Sequence, residues 1–304
     1  MPKMNSGTLL LDHGDMRLVT DTAAGEADPL LSVKLSDRNQ VVQLDPDHPG
    51  FRDPAYRERR NSIARIAMDY KPGSMIPDAP YTEDEHKLWR VINDAVGPAH
   101  RRHACAEYLR CVEKLALPQD RIPQLYEVSA KVESISGFRL EPVPGLVRPR
   151  VFLESLADGV FLCTQYIRHH ATPLYTPEPD VVHELLGHAV TLASQPLAEL
   201  NRMVGRVVRR TSSAEAFERL SRVYWFTIEF GVLREEQRIK AYGTGLLSSA
   251  GELEKMQGAD LRPLDLEAAA RQEYDPTTFQ PILYCADSFE EMYQKLSDYL
   301  AGMS

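Results

Sequence analysis

The sequence predicts a mostly helical single domain with a few short β-strands. Three observations predict it. Apolar residues recur at helical spacing through most of the chain after Phe51, helix-start signals precede several of these runs, and only one stretch, VFLCTQYI at 160–167, has clear strand composition. No internal repeat or low-complexity tract divides the 304 residues.

Residues 1–43 form an N-terminal extension with Gly-, Asp- and Ser-rich breaks between short apolar runs, either a pair of β-hairpins or a mobile segment. From about residue 44 onward the chain reads as one catalytic-size unit ending at 304. Asp53 before Pro54 reads as an N-cap and first helical residue, opening a helix that runs toward Tyr70. Thr82 and Glu85 form a capping box ahead of Leu88, Val91 and Ile92. A further periodic segment spans Ala99 to Leu115, and another spans 123–134 and stops before Gly137. The Pro-rich stretch LEPVPGLVRP connects to a short helix around Phe152 to Leu156. Helices are expected from Pro179 to about Ser194 and from Ala214 to about Leu233, and Ser288 with Glu291 caps the last.

Composition excludes several classes. A net charge of -9 disfavours a nucleic-acid partner, since a polyanion would be repelled. The basic stretches RNSIARIAMDYK and AHRRHACAEYLR alternate with apolar residues and read as solvated helix faces. No run approaches the roughly 18 apolar residues of a membrane span. The N-terminus has no signal-peptide core, and the four cysteines form no paired pattern. A cytoplasmic protein with reduced thiols, no nucleic-acid partner and no membrane partner is the expectation.

The most informative stretch is TPEPDVVHELLGH. His183 and His188 stand five apart, with Glu184 directly after the first. In an ideal α-helix residues five apart point about 140° from one another. One metal could join them only through long imidazole arms or a local irregularity in the helix. Two helix histidines are ordinarily packing residues satisfied by hydrogen bonds, and imidazole suits iron, zinc and copper alike. HELLGH also matches a zinc metallopeptidase variant in which Glu184 would be the general base. Forty residues downstream, WFTIEFG places Glu229 on a helix one turn after Trp225. Two histidines and one carboxylate make the facial triad of non-haem iron oxygenases, which leaves coordination positions for oxygen and water.

TQYIRH, YTPEPD with HELLGH, YWFTIEFG, IKAYGTGLLSSAGEL and DSFEEMYQKL together resemble the catalytic domain of the pterin-dependent aromatic amino acid hydroxylases. So do DPDHPGFRDPAYRERR and SGFRLEPVPGL, and the resemblance covers roughly residues 44–300. It implies a single hydroxylase-like catalytic domain that uses Fe(II), a tetrahydropterin such as tetrahydrobiopterin, and O2 as co-substrate. The metal ligands implied are His183, His188 and Glu229. Arg168 would hold the carboxylate of a free aromatic amino acid, a task suited to a bidentate guanidinium. Tyr175, Thr176 and Ser248 would line that site, with Trp225 walling the ring pocket. Phe152 would stack on the pterin, with Tyr224 and the segment Gly145, Leu146 and Val147 at further pterin contacts. Glu184 would be the catalytic carboxylate beside pterin and metal-bound water.

The chain departs from vertebrate relatives at Val182, at Ala189 and Val190, and at Leu162, where some relatives carry a pterin-side histidine. Trp225 stands where tryptophan hydroxylases tend to carry Phe, and Pro276 aligns with an Asp of the tyrosine hydroxylases. Both favour phenylalanine as the substrate; its conversion to tyrosine is the leading expectation, with meta-hydroxylation or tryptophan 5-hydroxylation as the alternatives. The chain stops at Ser304 without the family's tetramerisation arm, so a monomer or weak dimer without substrate activation is expected. A fold retained as an idle binding protein is the third reading, and the presence of all three ligands argues against it.

Overall fold

The protein is described here by a computed structural model covering residues 44, 46, 48–176, 178–276 and 278–303. The expected hairpins or mobile extension at 1–43 lie outside the described residues.

Local signals set the first helices where the sequence places them. Helix α1, Pro54–Met68, begins where Asp53 Oδ1 accepts the N–H groups of Ala55 and Tyr56, each at 3.0 Å. Helix α2, Glu83–His103, has the full capping box: the Thr82 hydroxyl accepts from Glu85 N, and Glu85 Oε2 accepts from Thr82 N. The segment expected to continue from Ala99 to Leu115 is broken. Ala104 turns extended and bridges Ala241, Cys105 N–H donates to Ala241 O at 2.9 Å, and α3 starts afresh at Ala106–Leu115. A long-range backbone pairing here overrides helical periodicity.

Helix α4, Leu125–Ser136, ends on Gly137 at φ 74°, a left-handed conformation that glycine adopts without strain. Part of the Pro-rich connection is strand β1, Arg139–Pro142, which pairs in parallel with β2, Val160–Cys163, on either side of α5, Pro149–Ser155.

The chain then enters the core as a π-helical segment π1, His183–Ala189, continued by α6, Val190–Leu192, and α7, Gln195–Arg210. The helical signal therefore begins after Asp180 rather than at Pro179, because Asp180 Oδ1 caps His183 N at 3.1 Å. Helix α8, Ala214–Tyr224, runs into a second π segment, π2, Trp225–Glu229. The helix does not reach Leu233 as periodicity suggests. Val232 and Leu233 instead open β3, Val232–Glu235, which forms a hairpin with β4, Arg238–Ala241.

Short helices α9, Thr244–Leu247, and α10, Ala250–Lys255, precede β5, Asp260–Pro263, α11, Leu266–Ala269, and β6, Ile282–Ala286. The four strands order as β4-β3-β6-β5, with β3–β6 and β5–β6 parallel. Helix α12, Phe289–Gly302, closes the described chain, with Ser288 Oγ accepting from Glu291 N at 3.1 Å. A mostly helical domain with a few short strands is what the structure shows.

One buried pair of rings clamps the outer helices to the core. His100 on α2 places Nε2 2.6 Å from Leu247 O, and the Tyr108 hydroxyl on α3 donates to Leu186 O inside π1 at 2.7 Å. Burial pushes His100 down from its ordinary 6.5 to about 4. The folded state therefore keeps this imidazole neutral where the unfolded chain takes up a proton. Its contribution is complete above about pH 6.5 and is lost as pH falls toward 4, amounting to at most about 3 kcal/mol. Urea melts at pH 7 and pH 5 should show this loss in the wild type and a shallower one in His100→Gln. Equal slopes would show that His100 does not carry the acid sensitivity.

Candidate active site

Three side chains from two elements meet in the core. His188 Nε2 lies 3.0 Å from His183 Nε2 and 3.2 Å from Glu229 Oε1, and His183 Nε2 lies 3.8 Å from Glu229 Oε2. Donor atoms in cis positions about 2.1 Å from one metal lie about 3.0 Å apart, so this spacing fits a single ion. All three residues are buried. The five-residue separation that an α-helix could not reconcile is resolved by the π-helical register, in which hydrogen bonds run from i to i+5 and stack residues five apart. The same slip appears at Glu229, where Phe230 N–H donates to Trp225 O at 2.9 Å.

Supporting groups orient each donor. His183 Nδ1 is 2.9 Å from Ser248 Oγ, whose own proton goes to Gly245 O at 3.1 Å. Ser248 thus accepts from Nδ1–H, and the Nε2 lone pair is directed at the centre. Thr244 Oγ1 donates to Glu229 Oε2 at 2.7 Å. This contact needs α9 tight against π1: a Cβ on Gly187 would meet Thr244 O at 2.9 Å.

Among the described residues, Asp53, His169 and His170 form a second group compact enough for a metal. There, His169 Nδ1 accepts from Ala171 N, so Nε2 carries the proton and donates it to Asp53 Oδ2 at 3.2 Å. That lone pair is unavailable to a metal without breaking both contacts.

Two cavities meet at the triad, and His183 and Pro179 line both. The first is lined by Gly145, Leu146, Val147, Phe152, Leu162 and Glu184 among others. Glu184 Oε1 accepts from Thr164 N at 3.1 Å and Thr164 Oγ1 at 3.0 Å. Burial pushes this carboxyl up to about 7, opposed by His188 and by the two Thr164 bonds. Tyr224 does not line this cavity. It sits behind Phe152, edge to face at 6.3 Å, with its hydroxyl donating to Asn201 Oδ1.

The second cavity is lined by Arg168, Tyr175, Thr176, Ser248 and Pro276, together with Phe230 and Glu252. Arg168 is buried and paired with Asp180, Nε to Oδ2 at 2.9 Å and Nη2 to Oδ1 at 2.8 Å. Nη1 also donates to Pro173 O at 3.4 Å, which among the described residues leaves one further N–H on each terminal nitrogen. Thr176 Oγ1 is buried without a hydrogen-bond partner among the described residues. Trp225 stands one layer behind the cavity wall, 4.5 Å from the Phe230 ring, stacked on Tyr274 at 4.1 Å and donating from Nε1 to Gln280 Oε1.

The profile of the family described as biopterin-dependent aromatic amino acid hydroxylase matches residues 34–304. The chain belongs to that family. It is 45% identical over 273 residues to phenylalanine-4-hydroxylase of Bos taurus, covering 86% of this chain and 60% of the relative. The chain thus spans well under two thirds of that relative's length. It is also 45% identical over 252 residues to phenylalanine 3-hydroxylase of Streptomyces coeruleorubidus, covering 83% of this chain and 90% of the relative. Among solved structures it resembles phenylalanine hydroxylase of Chromobacterium violaceum with bound iron(III) and oxidised cofactor 7,8-dihydrobiopterin. The TM-score is 0.69 at 27% identity, covering 79% of this chain and 92% of that one. Family membership sets aside the metallopeptidase reading of HELLGH.

Asp180, Thr164, Thr244 and Glu252 are site residues that the sequence reading did not name. Asp180 left a signal, an Asp three residues before the first histidine at N-cap spacing. The two threonines left none, because their partners come from distant elements.

Replacing Thr244 by Val should lower iron(II) affinity by about 10- to 100-fold, the usual cost of losing a group that orients a metal ligand. Chelator competition measures this, and unchanged affinity would show that the Thr244–Glu229 bond is incidental.

Proposed function

We propose that the chain is an Fe(II)- and tetrahydropterin-dependent monooxygenase that hydroxylates the ring of free L-phenylalanine, giving tyrosine, in a catalytic unit spanning residues 44–304. One observation carries the reading: a buried His-His-Glu triad stands between a largely apolar cavity that also holds the Glu184 carboxylate and a second cavity presenting a guanidinium edge. The iron and pterin of this family, when bound, supply the activation of O2 that no side chain can provide.

The chain's own residues bind, orient and exclude water. His183, His188 and Glu229 would hold the iron, with Ser248 and Thr244 fixing the donor orientation. Phe152 offers an aromatic face for the flat pterin, and Val143, Leu146 and Phe161 keep that cleft apolar. Glu184, its Oε1 held by Thr164, leaves Oε2 to take a proton or accept a pterin N–H. In the second cavity Arg168 would grip the substrate carboxylate end-on, Thr176 would spend its unpaired hydroxyl there, and Tyr175 and Phe230 would flank the ring. Trp225 acts through Phe230 as a rigid backing. Holding two reactants in such a geometry is itself worth a large part of a rate enhancement.

A second reading, hydroxylation of phenylalanine at the meta position, is favoured by one observation. The Streptomyces coeruleorubidus phenylalanine 3-hydroxylase is as similar as the mammalian relative and is matched over 90% of its length.

The test is an anaerobic incubation of iron(II)-loaded protein with tetrahydrobiopterin, followed by air and phenylalanine, tryptophan or tyrosine in separate reactions. Para-tyrosine that requires both iron and pterin is the expected product, and meta-tyrosine would establish the second reading. His188→Ala or chelation should reduce product at least about a hundredfold, since loss of a mere orienting partner costs 10–100-fold. No hydroxylated amino acid from protein of verified iron content would overturn the proposal.

A further inference from the structure

Among the described residues Glu252 is a buried acid without an ion-pair partner, and it lines the cavity that Arg168 lines. Its residue is only 6% exposed, and it lines the space shared by Arg168, Tyr175, Thr176 and Ser248. Its position after Ser249 looks like half of a capping box on α10, but the geometry assigns it another task. Ser249 Oγ accepts the Glu252 N–H at 3.2 Å, whereas Ser249 N–H is taken by Leu246 O, so the Glu252 carboxylate is not needed for the cap.

That carboxylate accepts one backbone N–H, from Gln280, and among the described residues no ion pair engages it. The cation on its own helix, Lys255, places its ammonium 3.7 Å from the centre of the Phe279 ring. Burial pushes the Glu252 carboxyl up to about 7, opposed by Gln280 N–H and Lys255. A buried carboxylate left in this condition costs free energy until a cation reaches it.

The charges across the cavity specify that cation. Arg168 is already neutralised by Asp180, so a substrate carboxylate on its free edge adds a negative charge to a space that holds Glu252. A free amino acid resolves this, because its ammonium sits on the carbon that bears the carboxylate. We propose that Glu252 receives the α-ammonium of the amino-acid substrate and so restricts the site to zwitterions. This rests on the amino-acid hydroxylase reading above and deepens it by assigning the second half of head-group recognition.

The experiment compares two probes that differ only in the ammonium, L-phenylalanine and 3-phenylpropanoate. Binding to anaerobic iron(II)-loaded protein is measured by calorimetry for the wild type, Glu252→Gln and Glu252→Asp. Glutamine keeps an acceptor for Gln280 N–H, and aspartate keeps the charge. The expected result is that Glu252→Gln weakens phenylalanine by about 10- to 100-fold, the span for a lost charge-assisted contact, and leaves 3-phenylpropanoate unweakened. Glu252→Asp should retain a preference for phenylalanine. Equal weakening of both probes would mark a structural role, and undiminished phenylalanine binding in Glu252→Gln would place the ammonium elsewhere; either overturns the proposal. A wild type that binds no phenylalanine would sink the parent reading and this proposal together.

Discussion

The arrangement of the site depends on a slip in helical hydrogen bonding. Both elements that carry the triad leave the α-helical register where they do so, over His183–Ala189 and Trp225–Glu229. An α-helix would turn His183 and His188 about 140° apart. With i→i+5 bonding they face one point, and their Nε2 atoms come within 3.0 Å. Such a turn is less favourable than an α-turn, and surrounding contacts compensate for it. Leu185 and Ala189 are fully buried, Tyr108 donates its hydroxyl to Leu186 O within the slipped turn, and Gly187 lets Thr244 approach to a distance no side chain would permit. The helix is held in this register by its neighbours.

Buried charge is the second organising force. Asp180 accepts from Arg168 Nε, Nη2 and backbone N, and also caps His183 N. One carboxylate therefore supports both the guanidinium edge and the first histidine, which couples the second cavity to the triad through a single side chain. Arg60 on α1 grips Glu178 in the segment just before Asp180 and lies 4.0 Å over the Tyr166 ring. Such pairs add little net stability, because desolvation offsets their attraction, but breaking one strands a charge in the core. Their effect is to hold the loop between β2 and π1 in one place.

Legibility in the sequence followed the range of the interactions. Asp53, Thr82 and Ser288 marked true helix starts because each cap is complete within three residues of chain. Helical spacing misleads where a distant backbone intervenes. Ala104 leaves the helix to pair with Ala241, and Val232 and Leu233 leave it to pair with β4 and β6, although both stretches keep helical apolar spacing. Tyr224 and Trp225 each pack against a ring that lines a cavity, Phe152 and Phe230 respectively. Adjacency in a motif does not separate the residue at a wall from the one bracing it.

Residue chemistry and order alone were enough for the family, the mostly helical class and the three residues that meet in the core, because seven motifs in fixed order and a His-His-Glu complement survive any uncertainty about conformation. The π register, the sharing of Asp180 between Arg168 and His183, and the turning of Glu252 away from its cap toward the cavity were decided by tertiary structure. The reason is physical: each depends on packing or desolvation by groups remote in the chain, and neither effect has a local signature.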